Sequence, residues 1–275
     1  MVTPANGVPD WRSFDPVAET YDRLMVPIYF ARPAADLVNA CRLNAGDRVL
    51  DVGTGTGVTA ALAAQLLDRK GFVVGIDPSV MMLYRARRRG LSCAVAGRLP
   101  HLPFSDSRFD VVLSSFVLAN IFDYRAGLSE MIRVLRPGGT LGVTAWGPDA
   151  AEQGRLWKEV ASTFVPAQDI QEAKVRVLPW QEHFTREGSL TQALKNAAVE
   201  AVSVTRRVYQ FKMRHEEYLI SRQSFAEGRL LHHLMGEVKW AEFCRVVAER
   251  YDAQYKQGIE YDRPVFFGVA RKPSR

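Results

Sequence analysis

The sequence predicts an α/β fold: a mostly parallel sheet with helices on both faces and a helical cap. Three observations carry this. Between residues 47 and 146, five short apolar runs alternate with helical stretches. Continuous apolar runs of that length fit strands covered on both faces. Second, Val49-Leu-Asp-Val-Gly-Thr-Gly-Thr-Gly-Val58 reads as strand, glycine turn and helix start, and Val73-Val-Gly-Ile-Asp-Pro78 as a second strand ending in an acid. That order is the βαβ pattern of a nucleotide site. Third, two strand-like runs late in the chain enclose a helical stretch, which adds strands and a cap to the first unit.

The elements follow in order. Residues 1–13 are expected to be disordered, since three of the first ten are Pro or Gly. The segment lacks the basic and apolar regions of a signal peptide. From Phe14 to Arg42 the pattern is aromatic and helix-like, with Pro27 and Pro33 limiting helix length. Strands are expected at Arg48–Val52, Phe72–Ile76, Ser92–Ala96, Asp110–Ser114 and Thr140–Ala145. Between them, Thr59–Lys70 is Ala/Leu-rich and meets Gly71 as a C-terminal stop, and Ser79–Arg89 stops at Gly90. Tyr124–Leu135 ends before the turn Pro137-Gly138-Gly139. Beyond Pro148, Gln153–Phe164 and Gly188–Ala197 read as helices, and Val199–Met213 as a long sixth strand. His215–Arg250 reads as two helices interrupted near Gly228 and Gly236, and Pro264–Arg271 as the last strand. The chain divides into an N-terminal helical lid (1–42), a core (43–147) and a C-terminal part of the sheet with cap insertions (148–275).

Composition narrows the function classes. A formal charge of +6 is a mild basic balance, ordinary for a basic surface. Cys41, Cys93 and Cys244 are isolated, so neither a disulfide framework nor a thiolate metal site is expected, and a reducing, cytoplasmic setting fits. The longest apolar run, near Val111–Phe122, is interrupted by serines and too short to span a bilayer.

The chemistry begins at Gly53, Gly55 and Gly57, which lack Cβ atoms and let a ligand approach the backbone. Asp77, at the end of the second strand, is placed to accept hydrogen bonds from both hydroxyls of a ribose. An adenosine-containing ligand follows, and the loop alone leaves open which one. In the dinucleotide pattern G-x-G-x-x-G/A, the register from Gly53 ends on Val58 and fails, whereas that from Gly55 ends on Ala60 and passes.

The downstream order breaks the tie. Leu102-Pro-Phe104 precedes Arg108-Phe-Asp-Val-Val-Leu-Ser-Ser115, and Met131-Ile-Arg-Val-Leu-Arg-Pro-Gly-Gly-Thr140 leads into a strand. With the two earlier motifs, residues 14–146 resemble the class I S-adenosylmethionine-dependent methyltransferases. The likeness is greatest to the small-molecule branch that contains ubiquinone and menaquinone methyltransferases. It implies a Rossmann-like seven-stranded, mostly parallel sheet, with S-adenosylmethionine as cofactor in the 43–147 core. Gly53, Thr54 and Gly55 match the loop beside the methionine portion, and Asp51 the acid that supports it. Asp77 matches the ribose acid, and Pro78 and Met82 residues beside adenine. Ser115 matches the position where the chain passes under the cofactor, and Tyr21 an aromatic that closes over it. One departure stands out. Where the family usually has Asp accepting from the adenine amino group, this chain has Arg98, followed by Leu99. Arginine has no acceptor. The lost bond is worth about 1–3 kcal/mol, unless Arg98 stacks on adenine or faces solvent.

No catalytic residue is assigned, because in-line methyl transfer asks mainly for placement. His101, His183, His215, His232 and His233 are candidate bases, with His183 beyond the fifth strand. His232, His233 and Glu237 have helical spacing but make a weak metal candidate. Arg85, Arg87, Arg88 and Arg89 close a helix, where cations suit the dipole. No Asn/Asp-Pro-Pro-Tyr follows the fourth strand, so nucleic acid is not the expected substrate. Tyr21, Tyr29, Phe30, Trp146, Trp157, Phe164, Trp180 and Phe184 are candidate walls of an apolar pocket. The expected function is methyl transfer to a small apolar or aromatic acceptor, with O- or C-methylation ahead of N-methylation. The alternatives are a non-methylating S-adenosylmethionine-binding protein and an NAD(P)-dependent oxidoreductase. The latter lacks a Tyr-x-x-x-Lys pair in the expected central region.

Overall fold

The structure, a computed structural model, describes residues 10–67, 70–149 and 151–274. The expectations for residues 1–9, disorder and no signal peptide, lie outside the described residues. At residues 10–13 the chain is ordered into a short 3-10 turn, Asp10–Arg12.

Seven strands form one sheet: β1 (Arg48–Val52), β2 (Phe72–Asp77), β3 (Cys93–Ala96), β4 (Phe109–Ser115), β5 (Leu135–Trp146), β6 (Glu200–Met213) and β7 (Ile259–Arg271). Their order is β3-β2-β1-β4-β5-β7-β6. The β1–β2, β1–β4, β2–β3 and β4–β5 pairs are parallel, and β7 runs antiparallel to both its neighbours. The order reverses between β1 and β4. In such sheets the crevice outside the carboxyl ends of the strands at that point takes the ligand.

Eleven α-helical segments are described: α1 (Ala18–Thr20), α2 (Ala31–Cys41), α3 (Val58–Leu66), α4 (Val80–Arg88), α5 (Tyr124–Val134), α6 (Glu152–Phe164), α7 (Ala167–Val177), α8 (Gln181–Thr185), α9 (Ser189–Lys195), α10 (His215–Ser224) and α11 (Ala226–Gln254). The strands alternate their side chains between two cores. Val49 joins Leu37, Ala60 and Trp157 on one face; Leu50 and Val52 join Leu128, Met131 and Leu194 on the other. This two-sided burial is why the strands read as unbroken apolar runs.

Two expectations are corrected, and two stretches are filled in. Pro27 does not limit the helix: Tyr21–Phe30 winds as a π-helix through it and into α2. The backbone ladder there runs i→i−5, as where the Ala31 amide donates to the Val26 carbonyl. Gly71 is not a helix stop, since α3 ends at Leu66. It is needed for a close approach, because a Cβ there would lie 2.6 Å from the Ala45 carbonyl oxygen. Residues 165–187, unassigned from sequence, form α7 and α8. Within 215–250 one interruption falls at Gly236, as expected, where φ and ψ are non-helical inside α11, and the other at Phe225, between α10 and α11, three residues before Gly228.

Candidate active site

The glycine loop joins β1 to α3, and its three glycines all have positive φ. Two of them also permit close packing. A Cβ on Gly53 would sit 2.4 Å from Val117 Cγ2, and one on Gly57 2.9 Å from Ala86 Cβ. Gly55 differs: a Cβ there would meet only the Tyr21 ring, at 4.0 Å. Its far side is open.

The loop is tied down from below. The amides of Gly53 and Thr54 donate to the Ile76 carbonyl at 2.8 and 3.0 Å. Thr54 turns its hydroxyl away from the opening and donates to Asp51 Oδ2 at 2.7 Å. Burial raises Asp51 to a pKa of about 7, with a further push from the charge of Asp77. Asp77 Oδ2 accepts from the Gly55 amide and Oδ1 from the Ser79 amide, both at 2.9 Å. Burial raises Asp77 to about 6; the two amides pull against that, and the charge of Asp15 adds to it. Each carboxylate oxygen keeps a second lone pair for a ligand.

Asp77 and Gly55 open into a cavity of about 1170 Å³. Nine of the eleven sequence-derived residues line it: Tyr21, Gly53, Gly55, Asp77, Pro78, Met82, Arg98, Leu99 and Ser115. Asp51 and Thr54 do not. They are buried beneath the loop. Arg98 is exposed at the rim, and its carbonyl accepts from the His101 amide at 3.0 Å.

The far end of the cavity is aromatic. Phe116 stacks on Trp146 with ring centroids 4.3 Å apart, and Phe30 meets Phe116 edge-on at 5.4 Å. Phe225 packs against Phe30 from the cap. Tyr21 lies over Gly55 and stacks on Phe30, bridging the two ends. Its phenol is held far above its usual pKa by burial and by Asp77 and Asp51. It therefore serves as a neutral ring. Of the eight aromatics expected as walls, Tyr21, Phe30, Trp146 and Phe184 line the cavity. Tyr29 and Trp157 belong to the core, and Phe164 and Trp180 pack against the two cores.

Two further features escape sequence reasoning. A strap, Arg12–Asp15, lines the cavity and is laced to its rim. Asp15 Oδ1 accepts from the Met81 amide at 2.9 Å and from the Ser79 hydroxyl. Behind the strap, Arg85 pairs with Glu19, and Arg89 with Asp22, so half of the basic cluster pins the N-terminal helices. The second feature is a charged network from the cap. Arg222 lies 3.2 Å from Glu227 and 3.6 Å from Asp149, and Lys174 lies 3.3 Å from Glu227. These cations hold Glu227 down at about 2 in spite of burial. No sequence signal marks partners 5 to 73 residues apart in unrelated elements.

The candidate bases disperse. His101 lines the rim of the cavity, whereas His183 stacks on Tyr124 outside it. Burial lowers the pKa of His183. His232 stacks on Trp240 and His233 on Trp11, so the pair points to different neighbours. Among the described residues no group of three or more His, Cys, Asp or Glu is placed to hold a metal ion. Nor, among them, is any helix long and apolar enough to cross a membrane.

Comparison with known proteins agrees with this geometry. Residues 50–143 match the model of the methyltransferase domain. A demethylmenaquinone methyltransferase of Mycobacterium marinum is 37% identical over 160 residues, covering 56% of this chain and 66% of the relative. One from Corynebacterium urealyticum is 34% identical over 158 residues, covering 56% and 67%. The chain thus spans about two thirds of the length of the curated relatives it matches. Among solved structures, phosphoethanolamine N-methyltransferase 2 of Haemonchus contortus, in complex with phosphomonomethylethanolamine and S-adenosylhomocysteine, superposes with a TM-score of 0.58. It is 18% identical, with 97% of this chain and 61% of that one covered, and shows the shared fold. Fold and site define a nucleotide-type α/β domain with a capped aromatic chamber. The chain belongs to the class I S-adenosylmethionine-dependent methyltransferases, in their small-molecule branch.

Proposed function

We propose that this chain methylates a small acceptor with an apolar or aromatic body, using S-adenosylmethionine. The observation that carries the reading is a single cavity with Asp77 and the glycine loop at one end and Phe30, Phe116, Trp146 and Phe225 at the other. Asp77 would hold the ribose diol, and the bare backbone of Gly53 and Gly55 the amino-acid tail. Pro78, Met82 and Leu99 would flank adenine, with Ser115 beneath and Tyr21 above. The rim position of Arg98 leaves the adenine edge to other groups. The bound sulfonium supplies an activated methyl group.

The protein's own residues supply placement. Orientation of two reactants can contribute about 7–11 kcal/mol to a displacement of this kind. The aromatic end fixes the acceptor's body, and Tyr21 marks the boundary between the two seats. The strap and the N-terminal helices, within residues 1–42, would form the lid, residues 43–147 the cofactor core, and residues 148–275 the C-terminal part of the sheet with the cap insertions. The strap screens the seats from water, which strengthens electrostatics inside. No described histidine stands at the aromatic end, so the reading favours an acceptor that ionises readily, such as a phenol or an enol. The relatives' name points to a quinone-type ring, which the aromatic end suits. The three free cysteines support a reducing, cytoplasmic setting.

The test is formation of S-adenosylhomocysteine from S-adenosylmethionine with a panel of phenols, hydroquinones and aliphatic amines. Turnover confined to the ring-bearing hydroxyl or enol acceptors supports the reading. Turnover only with amines, or none with any acceptor despite tight cofactor binding, overturns it.

A further inference from the structure

Among the described residues, Arg12 and Arg229 are the arginines of this region that combine a buried, unpartnered guanidinium nitrogen with the lack of any ion pair. Arg12, in the strap, lines the cavity; its Nη2 donates to the Asn120 carbonyl at 2.9 Å and its guanidinium lies 4.1 Å over the Phe122 ring. Arg229 sits one turn beyond Ala226, which also lines the cavity, and is only 9% exposed. Its Nη1 donates to the Ser13 carbonyl and its guanidinium lies 3.9 Å over the Phe14 ring. Arg12 Nη1 and Arg229 Nε are buried and donate to nothing. Burial lowers the pKa of both groups, and Arg12 lowers that of Arg229 further, to about 10. The two positive charges therefore act on each other.

The contrast lies in the preceding helix, α10. Arg222 is equally enclosed, yet it has Glu227 and Asp149 within ion-pair distance. The acids of the cavity wall are all engaged elsewhere. Asp15 and Asp77 take the amides of Met81, Ser79 and Gly55, and Asp123 caps α5. Asp149, Glu182 and Glu227 face Arg222 and Lys174. Among the described residues no carboxylate lies within ion-pair distance of Arg12 or Arg229. Facing aromatic rings attract these cations but do not neutralise them. Desolvated like charges with idle N–H donors are costly unless an anion joins them.

We propose that the acceptor carries an oxyanion, a carboxylate or a phosphate, that docks at Arg12 and Arg229 while its apolar body occupies the aromatic end. Guanidinium forks match both oxyanions in a bidentate way. Arg12 rides on the strap, so the strap seats on the anion and ties acceptor binding to closure. This inference rests on the methyl-transfer reading of the cavity.

The test uses the full chain saturated with S-adenosylhomocysteine and titrated by calorimetry with benzoate, phenyl phosphate and the neutral benzyl alcohol. The expected result is saturable binding of at least one anion, ten times or more tighter than benzyl alcohol. The tighter anion tells carboxylate from phosphate. Arg12→Gln and Arg229→Gln should each erase the preference for the anion. Arg229→Lys, which keeps the charge and the stem, should retain part of it and serves if the Gln variant fails to fold. Equal affinity for the anions and the alcohol overturns the proposal, as does a preference that survives both Gln variants. Failure of S-adenosylhomocysteine itself to bind would sink the methyl-transfer reading instead, so the two failures are distinguishable.

Discussion

The two ends of the cavity are built differently. The cofactor end is built around backbone and one carboxylate at the tips of β1, β2 and β4, with a few side chains such as Tyr21, Met82 and Leu99 beside them. The acceptor end is made of side chains that span the sequence from Arg12 to Arg263, brought together by the strap, the tip of β5 and the cap. The first end is fixed by local geometry: the loop glycines at positive φ, and a strand tip that aims Asp77 at the Gly55 amide. The second depends on tertiary packing and on buried charges. It should therefore be the easier end to damage.

The largest expected effect lies at the acceptor end. Glu227→Ala leaves Arg222 and Lys174 short of a partner in a buried site, and breaking such a pair costs about 3–5 kcal/mol. Denaturant unfolding should show that loss. The pH dependence has a definite sign: Glu227 has a depressed pKa, so its contribution is present above the usual carboxylate pKa and lost as pH falls toward about 2.

Trp146→Ala should act next, and on one end only. Removing a stacked aromatic from the acceptor seat should raise KM for a ring acceptor about tenfold or more, with a contribution of about 0.5–1.5 kcal/mol beyond lost area. Cofactor affinity should change little, and an equal loss of both would mean that the ends are coupled. Titration of cofactor affinity against pH probes the opposite end. Burial raises Asp77 to about 6, so affinity should weaken as pH falls through about 6 and the carboxylate takes up a proton. For the free chain the sign is reversed. The raised pKa values of Asp51 and Asp77 contribute stability below the usual carboxylate range, and it is lost as pH rises through about 6 to 7. The smallest effect belongs to Arg98→Asp. From its exposed place at the rim, the new carboxylate should change cofactor affinity by less than about tenfold, the worth of one net hydrogen bond.

The same contrast explains what the sequence disclosed. The central strands were legible because burial on both faces forces unbroken apolar runs, the exposed edge strand β6 was legible through its β-branched and aromatic residues, and Gly90 marked its helix end through φ. Nine cavity-lining residues were legible because they fall within short motifs, most of them at or just beyond strand tips, with Tyr21 in the N-terminal π-helix and Met82 in α4. Nothing local tells that the Thr54 hydroxyl turns to Asp51. The π-helix through Pro27 stayed hidden because proline normally ends an α-helix, and only packing of Tyr29 and Phe30 against the cap favours the wider coil. The strap, Phe116, Phe225 and the Arg222–Glu227 network carry no periodicity or spacing. Their partners are set by the fold, up to 216 residues away in the case of Arg229 and Ser13.

The central claim is that Asp77 and the glycine loop seat S-adenosylmethionine. Calorimetry of the wild-type chain and of Asp77→Ala with S-adenosylmethionine and its demethylated product tests it most directly. The account predicts micromolar binding to the wild type and at least a tenfold loss in the variant, since charge-assisted bonds of about 1.5–3 kcal/mol disappear. Undetectable binding to the wild type, or an affinity that the substitution leaves unchanged, would contradict it.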